Sequence, residues 1–259
     1  MTDASDPDND FFERHFHGRA ELAEELQQRG FSVDANIVAA TALDALAEVW
    51  LHDFQGERTA MEQELGGKVP PSIRMARFVK RFAVGAPHVG KVAVVLFAED
   101  WKKYVSTAAN EVDGLLAPRR PRLPGELPHA HLDITADDLL LECPALSAKP
   151  LAVALIEEYE YPALLYRFVR SPFVHFGTSS RRTHGFTRGE EVLYMPLAQG
   201  TTLGISVGVV TAWLRAAATG YVAYCNQRRV RPATNIEPAQ QAEGALEARW
   251  KRVASAVTP

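Results

Sequence analysis

Apolar residues recur every three to four positions through most of this chain, the spacing of helices with one buried face. Residues 11–29 follow that pattern with a high density of charge, and Gly30 stops the run. Asp34 is a candidate N-cap for a helix over residues 35–54, in which Leu43, Leu46 and Trp50 share a face. Gly66-Gly67 and Pro70-Pro71 then break the pattern. Ser72 stands where it can cap a further helix whose apolar stripe is Met75, Phe78, Val79 and Phe82. Residues 92–105 open on Val92-Ala93-Val94-Val95, which suits a buried strand as well as a helix. Their length and the continuation through Trp101 and Tyr104 favour a helix.

Residues 117–137 are rich in Pro and Arg, with Arg119, Arg120 and Arg122 clustered, and predict a long loop between two halves. Beyond it Leu139 to Leu141 is apolar, and residues 151–170 are helical around Pro162, which kinks the run or begins a new helix. Two short strands, 191–197 and 201–206, meet around Gln199-Gly200 as a hairpin, and a helix continues through 215–227. A last amphipathic helix is expected over 238–254, carrying Leu246, Trp250 and Val253. Residues 1–10 are acidic with little to bury, so a disordered tail is expected there. The sum is a mainly α chain in which residues 11–259 form one domain, a helical bundle with a small β-hairpin insertion.

Composition narrows the class without naming a function. With 47% hydrophobic and 23% charged residues the chain is ordinary for a globular protein. A net charge of −4 removes the simple case for a nucleic-acid coat or a polybasic membrane binder. Between Glu191 and Arg215 lie 23 residues without a charge, long enough to span a bilayer. Pro196, Gly200, Thr201, Thr202 and Ser206 interrupt that stretch, so the hairpin followed by a helix is the better reading and no membrane association is expected. The two cysteines, Cys143 and Cys225, form no CxxC pair, and the N-terminus lacks the basic start and apolar run of a signal peptide. A reducing cytoplasm is therefore the expected compartment. The chain has no GxGxxG, Walker-type Gly-Lys-Ser, GxSxG or HExxH pattern, so nucleotide-cofactor chemistry and serine hydrolysis lack support and no cofactor is expected.

One segment carries candidate chemistry: Leu164-Leu165-Tyr166-Arg167-Phe168-Val169-Arg170-Ser171-Pro172-Phe173-Val174-His175-Phe176-Gly177. A helix ending near Arg170, a Pro-containing turn and a His five residues on bring a permanent cation and a titratable imidazole to one junction. That pairing suits RNA cleavage. A His near neutrality can take the proton of a 2′-hydroxyl or protonate the leaving 5′-oxygen. A guanidinium can grip the phosphate and stabilise the charge that grows in the transition state. Three Arg–His pairs have this range of spacings, Arg170/His175, Arg81/His88 and Arg122/His129. Chance supplies about as many, so the helical context alone singles out the first.

Arg170 to His175 resembles the R-x4–6-H motif of HEPN domains, in the version with helix, Arg, polar residue, Pro, apolar pair and His. The resemblance implies a HEPN-type helical bundle and a metal-independent endoribonuclease, often a toxin or phage-defence effector, with its site formed across a homodimer and with an antitoxin or other regulator as a further partner. By the same implication His175 is the general acid/base, Arg170 holds the scissile phosphate and Ser171 is a polar support. The sequence departs from the family at Ser171, where Asn, Asp or His is usual, and at Gly177, where a subset has Tyr. The alternative is a noncatalytic HEPN-like module that binds nucleotide, RNA or a protein partner through the same groove.

Other residues stay open between two roles. Arg167, one turn before Arg170, widens a phosphate site or is simply salt-bridged. Arg181 and Arg182, within Ser179-Ser180-Arg181-Arg182-Thr183-His184, are an RNA-contacting patch or a solvated turn. His129-Ala130-His131 with Asp133 has a spacing that metals use, but no compelling fourth group, and no metal is assigned.

Overall fold

A computed structural model describes residues 7–104, 109–119, 127–128, 130–147, 150–176, 178–184, 189, 191–198 and 200–233. The chain is mainly α with a small antiparallel hairpin. Helices α1 (Pro7–Gln28), α2 (Ser32–Asp53), α3 (Gln55–Leu65) and α4 (Pro71–Phe82) lead into α5 (Val94–Tyr104) and α6 (Ala109–Leu116). Short helices α7 (Ala136–Glu142), α8 (Pro144–Ser147), α9 (Pro150–Glu157), α10 (Tyr161–Leu165) and α11 (Ser171–Phe176) follow. The hairpin β1 (Val192–Leu197) and β2 (Gly200–Ile205) then feeds the long α12 (Val207–Arg228).

The three long helices α1, α2 and α12 pack mutually, and α4 lies against α2, α10 and α12. Their shared core is aromatic. Trp50, Phe78, Phe82 and Tyr221 stack at centroid separations of 5.1–6.1 Å with Phe12 beside them, geometry in which rings gain beyond area burial alone. Trp213 is fully buried and donates its indole N–H to the Pro87 carbonyl at 2.6 Å, so its polar atom is satisfied. Close approach of α12 and α4 depends on Gly220: a Cβ there would stand 2.2 Å from the Phe82 carbonyl oxygen.

The hairpin pairs Val192 with Ile205 through Leu197 with Gly200, and Gly200 takes φ +120°, where an L side chain is strained. Ser206 closes it by capping α12, accepting from the Val209 N–H at 3.3 Å while also accepting from the Glu191 N–H at 3.1 Å. No helix among the described residues is long and apolar enough to cross a membrane.

Several expectations need correction. Residues 7–10 belong to α1 rather than to a disordered tail: Asn9 is buried and donates to Asn226, and Asp8 pairs with Arg231 at 3.1 Å. Acidic residues in a first helical turn complement the helix dipole, which the composition of residues 1–10 conceals. Residues 1–6 lie outside the described set. The span 117–137 is not one long loop. It contains 3-10 turns at Ala117–Arg119 and Ala130–Leu132, then the capping box of α7 on Thr135 and Asp138. Arg119 is buried and donates to the carbonyls of Leu115 at 2.6 Å and Leu132 at 2.7 Å, so it staples the turns instead of facing solvent. Arg120 and Arg122 lie outside the described residues, as does the helix expected over 238–254. Helix α2 starts at Ser32, which leaves Asp34 inside the first turn, and Ser72 donates to Glu158 at 2.9 Å instead of capping α4. The strand-or-helix ambiguity at residue 92 resolves into both. Lys91 and Val92 form single bridges to Thr135 and Glu160, and α5 begins at Val94.

Candidate functional site

The motif segment does not turn at Pro172. Tyr166–Arg170 is a π-turn that runs directly into α11, and the Ser171 N–H reaches five residues back to the Tyr166 carbonyl. The cause is Pro172, which has no N–H to give to the carbonyl of Phe168 four residues earlier. That carbonyl accepts instead from the Ser180 N–H at 2.8 Å. The proline thus widens the helix locally and ties the following segment onto it. The expected helix, turn and His are one helical segment.

On that helix Arg170 and His175 do not converge within one chain. A separation of five residues rotates by about 140° and rises about 7.5 Å in α geometry. Arg170 is 21% exposed and its Nη2 lies 2.8 Å from Asp44 of α2. Its guanidinium carbon sits 5.3 Å from the centroid of the Tyr166 ring. The other Asp44 oxygen accepts from Arg74 Nη2 at 2.7 Å, and Arg74 also meets Glu48. A buried carboxylate between two arginines holds Arg170 as an ion pair, while the Arg170 Nε is buried without a hydrogen-bond partner among the described residues. His175 is exposed on α11, and Ser171 is half-buried at the π-to-α junction.

The remaining predicted cations also have acidic partners, with one exception. Arg167, exposed, donates to Glu158 at 2.5 Å, so it does not share the carboxylate that holds Arg170. Arg182 donates to Asp100 at 2.5 Å and lies over the Phe168 ring at 5.8 Å. Arg181 is exposed. Their segment is not a free turn: Thr183 bridges Leu203 of β2, with the Leu203 N–H donating to Arg182 at 2.9 Å and the His184 N–H to Leu203 at 3.3 Å. Burial lowers the pKa of His184 below the usual imidazole value, and its Nδ1 lies 2.9 Å from Thr202 Oγ1.

A cleft of about 660 Å³ opens between α5, this segment and β2. Separately, Asp133 is buried between the hydroxyls of Tyr161, 2.5 Å away, and Tyr194, with Arg119 Nε at 3.6 Å. Burial pushes its carboxyl up to about 7, against the pull of the two hydroxyls and the guanidinium. Asp133 therefore faces the core and not His131, which is exposed; His129 lies outside the described residues. No group of three or more His, Cys, Asp or Glu able to hold a metal occurs among the described residues.

Sequence reasoning missed Asp44, Asp100 and Glu158, the acids that receive the predicted cations. Asp44 carried one signal, as an acid on the same buried helix as Leu43 and Leu46. Asp100 and Glu158 carried none. No protein-family model matches the chain, and no curated protein or solved structure matches it either.

Proposed function

We propose that this chain is a metal-independent endoribonuclease of HEPN type that works in the cytoplasm as a homodimer, as a toxin or phage-defence effector under the control of a partner. The observation that carries the reading is the arrangement of the motif helix. Asp44 and the Tyr166 ring orient Arg170 while a fifth of its side chain stays open, and His175 stands exposed beyond it on the same helix.

In this mechanism His175 takes the proton of a ribose 2′-hydroxyl. The 2′-oxygen forms a bond to the adjacent phosphorus, and the bond to the 5′-oxygen breaks as that oxygen takes the proton that His175 now carries. The products are a 2′,3′-cyclic phosphate and a free 5′-hydroxyl, with no external oxidant or nucleophile consumed. Arg170 stabilises the phosphorane charge, and its fixed position spares reorganisation at the moment of reaction. Ser171 supplies a hydroxyl beside it. The rotation between Arg170 and His175 on one helix supports a site shared by two copies, in which Arg170 of one chain serves His175 of the other.

A second reading, a noncatalytic HEPN-like module that binds nucleotide, RNA or a protein, is favoured by one observation: Arg167, Arg170 and Arg182 are each already paired with a carboxylate. Digestion of mixed cellular RNA in excess EDTA separates the two. The nuclease reading expects cleavage by the wild type that is lost in His175→Ala and Arg170→Ala, with folding preserved by circular dichroism. An inactive wild type that still binds RNA establishes the second reading instead.

A further inference from the structure

The cleft beside the motif helix has a lining of both charge signs, and its acids and bases are not interchangeable. Glu99 is committed to the hairpin, accepting from the Thr201 N–H at 3.2 Å and from the Thr201 hydroxyl. Asp100 is committed to the wall, accepting from the Tyr159 hydroxyl at 2.5 Å and from Arg182 at 2.5 Å. Both carboxylates are thereby held in place with lone pairs to spare. Lys103, one turn further along α5, and Arg181 of the facing segment are exposed and line the same cleft. Two acids and three bases leave the lining one unit positive in a chain whose net charge is −4.

A track for a bare polyanion would exclude the acids, and a cation site would exclude the bases. A ribonucleotide needs both, because its phosphate accepts from guanidinium and ammonium groups while its ribose hydroxyls donate to carboxylates. The volume of about 660 Å³ falls within the range of small-ligand pockets. The cleft is also mechanically joined to the motif: the Ser180 N–H holds the Phe168 carbonyl, and Arg182 lies on the Phe168 ring.

We infer that this cleft is a ribonucleotide subsite, with Arg181 and Lys103 contacting the phosphate and Glu99 accepting from the ribose hydroxyls. The inference rests on the RNA-directed reading above and adds to it a place, away from His175, where one unit of the ligand is held. Its occupant is a nucleotide of an RNA strand or a free ribonucleotide, which share this chemistry.

The test uses the full chain carrying His175→Ala, so that substrate is not consumed. Fluorescence anisotropy follows a short unstructured oligo-uridine, its 2′-deoxy counterpart, and 5′-AMP as competitor. Arg181→Glu, an exposed change that leaves the fold intact, is expected to weaken RNA binding about tenfold and to lower the salt slope by about one. Glu99→Gln is expected to erase the preference for ribose over deoxyribose. Displacement by 5′-AMP at comparable concentration assigns the subsite to a free nucleotide; displacement by RNA alone assigns it to a strand. Binding that is indifferent to Arg181→Glu and to Lys103→Gln overturns the subsite. If the wild type never cuts RNA yet binds it through Arg181, the nuclease reading falls and the subsite stands. If cutting persists while Arg181 is irrelevant to binding, the subsite falls and the nuclease reading stands.

Discussion

Asp44 shows how a single buried acid decides what an exposed motif can do. Its two oxygens receive Arg74 at 2.7 Å and Arg170 at 2.8 Å, and it is almost wholly buried. Removing Arg170 leaves Asp44 with half of its compensation. Arg170→Ala is therefore expected to cost about 1–3 kcal/mol of stability, read by urea denaturation, in addition to any effect on RNA. Arg170→Lys keeps a charge but loses the planar fork, and is expected to recover part of the stability and little of the activity. A second buried acid has a different signature. Burial raises the Asp133 carboxyl to about 7, above its value in the unfolded chain. The stabilisation from this group is complete below the unfolded carboxylate pKa near 4 and is lost as pH rises through about 7. Denaturation of wild type and Asp133→Asn at several pH values isolates it. The wild type should lose up to about 4 kcal/mol relative to the variant between pH 4 and 8, and a parallel pair of curves contradicts that assignment.

At the scale of elements, the path of the chain is set by a few residues that break the usual rules. Gly220 brings α12 against the Phe82 carbonyl, so Gly220→Ala is expected to destabilise by about 1–3 kcal/mol despite the better helix propensity of Ala. Gly114, exposed in α6 with open space where its Cβ would be, gives the opposite sign: Gly114→Ala should stabilise by up to about 1 kcal/mol. Pro172 makes the π-turn. Pro172→Ala restores an N–H that competes for the Phe168 carbonyl, and hydrogen exchange at Ser180 should accelerate as that segment loosens. These elements also show what the sequence made legible. Helical spacing gave α2, α4 and α12, and turn chemistry gave the hairpin to within a residue, because each depends on local pattern. The π-turn was not legible, since Pro172 announces a break while the carbonyl that lets the helix continue is satisfied from Ser180. The turns within 117–137 were hidden for the same kind of reason: Arg119 reads as a surface charge until the carbonyls of Leu115 and Leu132 are beside it.

Across the whole molecule, charge compensation is the organising feature. Arg77 bridges Glu64 and Glu157, Arg74 joins Asp44 and Glu48, Arg81 lies on Glu57 and Arg215 on Glu24. The motif arginines follow the same habit, and long-range partners of this kind leave no trace in local spacing. That is why Arg167, Arg170 and Arg182 were visible as candidates while the acids that hold them were not. Under the proposed nuclease reading the site draws on two copies, since a single chain turns Arg170 toward Asp44 and leaves His175 exposed. Sedimentation of the purified chain should therefore show a dimer. The most direct test of the account is a mixing experiment in excess EDTA. Arg170→Ala and His175→Ala proteins, each inactive alone, are combined, allowed to exchange subunits and given cellular RNA. The account predicts that cleavage returns in the mixture, because an exchanged dimer carries one intact Arg170 facing one intact His175. A wild-type protein that cleaves while the mixture of variants stays inert contradicts a site shared between copies, and a wild type that fails to cleave contradicts the nuclease itself.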